Sequence, residues 1–206
     1  MPVDLATSPD APAGPASTGR PAPGGAATAA LAGGCALLVL RPALWRWGDP
    51  TVALTVLFVA LLAGGAGWPL PRDRRGEPRA GAAGGRAQVA ALLLGVAAFG
   101  AGRLLGGGHP PAPVSLRFVG LNTLAAVAEE AFFRRLAYGL LAPAGAGLAV
   151  VGTSVLFALA HVGVYGWWVA PLDLAAGLVL GWQRWATGSW AVPALTHVVA
   201  NVLVVV

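Results

Sequence analysis

The C-terminal half of the chain carries ionisable and amide side chains inside segments that are otherwise apolar. They occur in "AVAEEAFFRRLAYGLL", "VVGTSVLFALAHVGVYG" and "WAVPALTHVVANVLVVV", and they are Glu129, Glu130, Arg134, His161, His197 and Asn201. A charged residue near the centre of a membrane helix costs roughly 2.5–3.5 kcal/mol on insertion scales, so such residues normally face a bundle interior or a water-filled cavity and pair there. The pattern therefore indicates a buried polar site assembled from three separate segments.

Spacing separates the four charges of the first segment. Glu130 and Arg134 are four residues apart, so they lie one above the other on a helix and can pair. Glu129 is about 100° around the helix from Glu130 and should point elsewhere, so this pair does not explain it. If Glu129 had only a structural role, it would pair with Arg135. We expect Arg135, however, to be peripheral and to snorkel toward the interface.

Two chemistries suit these residue types. A carboxylate in a poorly solvated cavity, such as that of Glu129, can act as a general base on water. His197 and Asn201 share a helix face and can donate hydrogen bonds to a developing oxyanion. Alternatively, Glu129, His161 and His197 could ligate a zinc ion and leave one position for water. Composition and spacing leave both possibilities open.

The elements that carry these residues must be membrane helices. Of the 206 residues, 57% are hydrophobic and 10% are charged, and the mean hydropathy is +0.73. Soluble domains carry about 25% charged residues, so we expect an all-α integral membrane protein. The net charge of +5 comes from arginine without lysine, and in so apolar a chain it does not indicate nucleic-acid binding. The single cysteine, Cys35, cannot form an internal disulfide.

The apolar stretches predict a polytopic bundle of about seven transmembrane helices, each near the length of about 20 residues that crosses a bilayer. The predicted spans are residues 26–44, 51–68, 87–105, 115–141, 147–164, 167–185 and 189–206. Residues 1–25 are rich in Pro, Ala and Gly and predict a disordered tail, which leaves 26–206 as one transmembrane domain. Asp173, in the sixth span, is expected to pair with an arginine or to lie near the membrane boundary, and His109 to be an inert loop residue.

The distribution of arginine predicts the topology. The loop after the second span contains Arg72, Arg74, Arg75, Arg79 and Arg86, and short loops rich in arginine are normally cytoplasmic. This places the N-terminus in the cytoplasm and predicts a multi-pass protein of the cell membrane. Arginines on the opposite side of the predicted membrane weaken this signal.

The polar segments resemble a known family, the CPBP intramembrane proteases, which are also called the CAAX-protease and bacteriocin-processing or Abi family. Their pattern is EExxxR, then FxxxH, then HxxxN, in successive membrane regions. Here the pattern is "EEAFFR" (Glu129–Arg134), "FALAH" (Phe157–His161) and "HVVAN" (His197–Asn201). The family-like core spans residues 115–206, whereas residues 1–110 match nothing specific.

The resemblance implies an intramembrane endopeptidase of the glutamic type that needs no metal, with zinc as the alternative. It implies that Glu129 activates water, supported by Glu130 and Arg134. His161 would orient the water or the glutamate, and His197 with Asn201 would form the oxyanion site. If a metal were present, Glu129, His161 and His197 would hold it.

The implied substrate is a membrane-anchored or exported protein or peptide, cut near its C-terminal segment, with the lipid bilayer as the other partner. The chain is shorter than the eukaryotic CAAX enzymes, so we do not expect prenylated substrates. A non-catalytic scaffold or bacteriocin-immunity protein of the same fold is one alternative. A proton-coupled transporter is another, because intramembrane Glu and His also form proton relays. Transporters usually contain internal repeats, and none is visible in this sequence.

Overall fold

The computed structural model describes residues 24–44, 50–68, 84–105 and 115–205. The predicted N-terminal tail lies outside these residues except for its last two positions. Most of the arginine-rich loop and His109 also lie outside them, so the topology stays a prediction.

Throughout the described residues the regular structure is helical, which confirms the all-α prediction. Three helices precede the polar segments: α1 (Gly24–Leu44), α2 (Pro50–Ala66) and α3 (Gly85–Leu105). The fourth helix, α4, is continuous but changes type along its length, from an α-helix over Leu116–Glu130 to a π-helix over Ala131–Ala137 and back to an α-helix over Tyr138–Leu141. The last three are α5 (Ala146–Tyr165), α6 (Ala170–Thr187) and α7 (Ala191–Val205). This part of the chain therefore has seven helices, as predicted, and each boundary falls within one turn of its predicted place.

Among the helices of the described ranges, three are long and apolar enough to cross a membrane, namely α1, α3 and α5. The apolar helices α2 and α7 are shorter. Many large apolar side chains of these helices are exposed, for example Leu93 and Leu94 of α3. Exposed apolar surface of this extent needs lipid rather than water around it, so the chain is a membrane protein.

Glycines at positive φ end two of the helices that carry the site. Gly166 follows α5 with φ 89° and donates its backbone N–H to the carbonyl of Val162. Gly188 follows α6 with φ 67°, in the left-handed conformation, and donates to the carbonyl of Arg184. Side chains with a Cβ atom rarely adopt this conformation, which makes glycine the usual residue at such helix ends.

Helix α4 is the central element, packed against α1, α2, α5, α6 and α7, whereas α3 packs on α6 and α7. The π segment of α4 contributes Phe132, Phe133 and Leu136, which are almost completely buried, to the apolar core. At Gly65 the helix α2 approaches so closely that an added Cβ atom would lie 2.6 Å from the carbonyl carbon of Ala131. This close contact fixes α2 against the helical turn that follows the paired glutamates.

Candidate active site

The predicted pair of Glu130 and Arg134 is present and forms the innermost part of the site. Arg134 donates from Nη1 to Glu130 Oε1 over 3.1 Å and from Nη2 to the carbonyl of Gly177 in α6, also over 3.1 Å. Both side chains have zero exposure. The Arg134 guanidinium also lies over the ring of Phe157, 4.8 Å from its centroid. Arg134 therefore ties α4 to α5 and α6 while compensating the charge of Glu130.

His197 makes a contact with Glu130 that the spacing argument did not foresee. Its Nδ1 atom lies 2.9 Å from Glu130 Oε1, across 67 residues of sequence. A carboxylate that pairs with an arginine can only accept, so Nδ1 is the protonated nitrogen of the ring. The unshared pair of a neutral His197 is then on Nε2. The predicted oxyanion role of His197 stays a prediction, and it requires a proton on Nε2 as well.

His161 is held in a similar way. Its Nδ1 atom lies 2.9 Å from the carbonyl oxygen of Phe157, one turn earlier in α5. A carbonyl can only accept, so Nδ1–H donates and Nε2 again carries the unshared pair. The imidazole packs on the Phe157 ring, with centroids 4.6 Å apart, and stacks on Tyr165 at 6.0 Å and 9°. These contacts fix the direction in which Nε2 points.

Glu129 is the residue on which the two histidines converge. Its Oε2 atom lies 3.9 Å from His161 Nε2 and 4.0 Å from His197 Nε2. The side chain is buried, with 3% exposure for the residue. The structure thus places Glu129, Glu130, Arg134, His161 and His197 in one cluster. Glu129 and Glu130 differ in direction, as predicted, but His197 contacts both of them.

The other oxygen of Glu129 binds a residue that the sequence reasoning missed. Glu129 Oε1 accepts a hydrogen bond from Arg41 Nη1 of α1 over 3.4 Å. The sequence analysis assigns site residues only to the C-terminal half of the chain, whereas Arg41 lies near the end of the first predicted span. In the structure Arg41 is buried in the last turn of α1. An arginine within an apolar helix is by itself a reason to look for a partner, and that was the available signal.

Arg135 binds the backbone of α2 and does not pair with Glu129. It donates to the carbonyls of Gly65 over 2.6 Å and Trp68 over 3.0 Å. Its predicted snorkelling toward the interface stays a prediction. The last carbonyls of a helix lack partners within the helix, so Arg135 caps the C-terminal end of α2.

A cavity of about 520 Å³ opens in front of the two histidines. Most of its wall is apolar, from α3, α5, α6 and α7, and the polar residues that line it are Arg103, His161, Tyr165, Asp173, His197 and Asn201. Asn201 shares a face of α7 with His197, and its amide donates to the carbonyl of Asn122 in α4 over 3.3 Å. A peptide segment in this cavity would contact His161, His197 and Asn201.

Asp173 lies at the wall of the cavity, and no arginine of the described segments pairs with it. Its Oδ2 atom is 3.9 Å from His161 Nδ1, on the side of the ring away from Glu129. The Oδ2 atom is buried and has no hydrogen-bond partner among the described residues. The Nδ1–H of His161 is directed at the Phe157 carbonyl, so Asp173 does not orient this ring in the observed arrangement.

The donor types in the cluster suit zinc, but their spacing does not. Glu129 Oε2 and both Nε2 atoms have unshared pairs, and each Nδ1–H is held by an oxygen, as is common for metal-bound histidines. Tetrahedral zinc with bonds near 2.0–2.1 Å holds its donor atoms roughly 3.4 Å apart. The observed 3.9 and 4.0 Å are too wide. Across the described ranges no group of three such side chains has the spacing of a metal site.

One comparison with known proteins matches the region that carries the cluster. Residues 111–203 match the family model described as type II CAAX prenyl endopeptidase Rce1-like. This region of the chain belongs to the CAAX-protease (CPBP) family. The matched residues include every member of the cluster except Arg41. No curated protein and no solved structure matches the chain. The part of this membrane protein that carries the cluster therefore belongs to a family of proteases.

Proposed function

We propose that the chain is an intramembrane endopeptidase in which Glu129 activates the attacking water. The observation that carries this proposal is the convergence of His161 Nε2 and His197 Nε2 on one oxygen, Glu129 Oε2, within 4.0 Å. A direct hydrogen bond is shorter than these distances. A water molecule at about 2.8 Å from two atoms 4 Å apart makes an angle of roughly 90° with them. The spacing therefore suits a water that binds the carboxylate and an imidazole together.

The reaction can be written on these residues. Glu129 takes a proton from the water while the water oxygen bonds to the carbonyl carbon of the scissile peptide. The oxyanion accepts a hydrogen bond from the amide of Asn201, and from His197 when its Nε2 carries a proton. The C–N bond then breaks and the proton held by Glu129 passes to the leaving nitrogen, which gives a carboxyl group and an amine. His161 orients the water, and Glu130 with Arg134 fixes the His197 ring.

We propose that the mechanism needs no metal. With zinc, Glu129, His161 and His197 would be the ligands, and the ion would polarise the carbonyl or the water. Both imidazoles would have to move toward Glu129 Oε2, since the observed spacing is about half an ångström too wide for tetrahedral zinc. Peptidase activity that survives 1,10-phenanthroline, with less than one equivalent of zinc in the purified protein, supports the metal-free form. Loss of activity with the chelator, followed by recovery when zinc is added, would favour the zinc-dependent mechanism.

The substrate class follows from the surroundings of the site. The cavity is largely apolar and lies among helices that require lipid around them. We propose that the substrate is a membrane-anchored or exported protein, which is cut near its C-terminal segment. The enzyme itself is then a multi-pass protein of the cell membrane with its N-terminus in the cytoplasm. Nothing in the cluster recognises nucleic acid.

The test replaces Glu129 by glutamine, which keeps the shape and removes the base. In the source cells, protein termini in the membrane fraction are compared between strains with the wild-type chain, the Glu129→Gln variant and no chain. We expect termini present only with the wild type, and accumulation of uncut precursors with Glu129→Gln. The folded yield and the unfolding midpoint of the variant serve as the control for structure.

If Glu129→Gln and wild type give the same set of termini while deletion changes it, the peptidase proposal is wrong. That result would favour a scaffold of the same fold. The variant also provides the substrate trap, because precursors that remain bound to it can be identified after mild crosslinking.

A further inference from the structure

Arg41 is an unusual residue for its position in the fold. It lies in α1, 88 residues before Glu129 and outside the region that the family model matches. Its guanidinium lies over the face of Phe58 in α2, 5.2 Å from the ring centroid. Only 9% of its side chain is exposed. A guanidinium at this depth is costly unless it is paired, and Glu129 is the partner that the structure gives it.

The two oxygens of Glu129 are used differently. Oε1 accepts from Arg41, whereas Oε2 faces the two histidines. A carboxylate on a flexible side chain has several rotamers, and the productive one must direct an oxygen at the attacking water. The contact with Arg41 favours the rotamer that is observed, and the stack on Phe58 limits the motion of Arg41 itself.

The charges of the cluster also require Arg41. Glu129 and Glu130 bring two negative charges into the interior of the bundle. Arg134 compensates Glu130 at 3.1 Å, and Arg41 compensates Glu129 at 3.4 Å. Without Arg41 the cluster would keep one carboxylate charge without a partner, which is unfavourable in a medium of low polarity.

We infer that Arg41 is a positioning residue for Glu129, so that the N-terminal half of the chain supplies part of the active site. The inference rests on the proposed function. It does not make Arg41 a catalytic residue, because Arg41 does not line the cavity in front of the two histidines. It assigns to α1 the task of holding Oε1 so that Oε2 meets the water.

The expected effect is on turnover. Arg41→Met keeps much of the apolar stem and removes the donor, and we expect kcat to fall by roughly 100-fold, the size of effect that follows from misplacing a reacting group by about 1 Å. KM should change little, because the substrate does not contact Arg41. Arg41→Lys keeps the charge and one donor nitrogen, and its kcat should be at least tenfold higher than that of Arg41→Met.

The matched control is Arg135→Met. Arg135 is a partly buried arginine, and its bonds are to backbone carbonyls at the end of α2. It should lose stability without a comparable loss of kcat per folded molecule. Rates are measured in lipid nanodiscs with fluorogenic peptides that span the cleavage sites found from the membrane termini.

A second measurement does not depend on substrate. The unfolding midpoints of Arg41→Met, Glu129→Gln and the double variant form a double-mutant cycle. If Arg41 holds Glu129, the double variant will be more stable than the sum of the two single effects predicts. Additive effects, or a wild-type kcat for Arg41→Met, overturn the inference while leaving the proposed function intact. Full cleavage by Glu129→Gln would instead overturn the proposed function, and the positioning role with it.

Discussion

Replacing Arg134 by methionine should be among the most destabilising single changes in this protein. The variant leaves Glu130 buried with zero exposure and without its guanidinium partner, and it removes the hydrogen bond from Arg134 to the carbonyl of Gly177. Removing one member of a buried ion pair typically costs about 3–5 kcal/mol. Methionine retains most of the apolar volume, so the expected loss is assigned to the charge and the hydrogen bonds. The free energy of unfolding is measured in mixed micelles by increasing the fraction of denaturing detergent.

Two further variants separate charge from packing. Adding Glu130→Gln to Arg134→Met removes the unpaired charge, and it should restore about 1–3 kcal/mol, the cost of leaving a buried polar group without its partner. Arg135→Met should cost less than Arg134→Met, because the partners of Arg135 are carbonyls without net charge. The reasoning is refuted if Arg134→Met lies within about 1 kcal/mol of wild type. It is also refuted if the second substitution makes the protein less stable still.

Two other changes test the packing that positions the site. Gly65→Ala should destabilise the protein by about 1–3 kcal/mol, because its Cβ atom would lie 2.6 Å from the backbone of the π segment. The control, Gly64→Ala, meets no atom within 4 Å and should be neutral or slightly stabilising in the same unfolding assay. Equal effects at both positions would contradict this packing. Gln183→Leu removes the hydrogen bonds that the Gln183 amide donates to the Ala91 carbonyl and to Thr196 Oγ1. Amide hydrogen exchange should therefore become faster in α3 (Gly85–Leu105) and change little in the rest of the bundle. Unchanged protection of α3 would show that these bonds do not anchor it.

The parts of the site that are local in sequence could be predicted. Glu130 and Arg134 are one helical turn apart, and so are His197 and Asn201, so the helical period alone places each pair on one face. The apolar runs predict the helices for the same reason, because their length and composition fix a membrane span without knowledge of its neighbours.

The parts that depend on helix packing could not be predicted. His197 meets Glu130 across 67 residues, and Arg41 meets Glu129 across 88. Such contacts depend on the rotation of each helix about its axis, which the helical period of one segment does not determine. The π segment is similar, since "AFFRRLA" contains neither proline nor glycine to predict a change of helix type.

The charge balance of the cluster connects these two classes of contact. Two carboxylates facing two imidazoles inside a membrane protein need two cations, and the sequence motif supplies only Arg134. The second cation comes from α1, so the interior of the site is electrically balanced only when α1 packs against α4. A fragment that contains all the motif residues but lacks α1 would retain an uncompensated Glu129. The family-like region should therefore need its N-terminal helix for a working base as well as for anchorage in the bilayer.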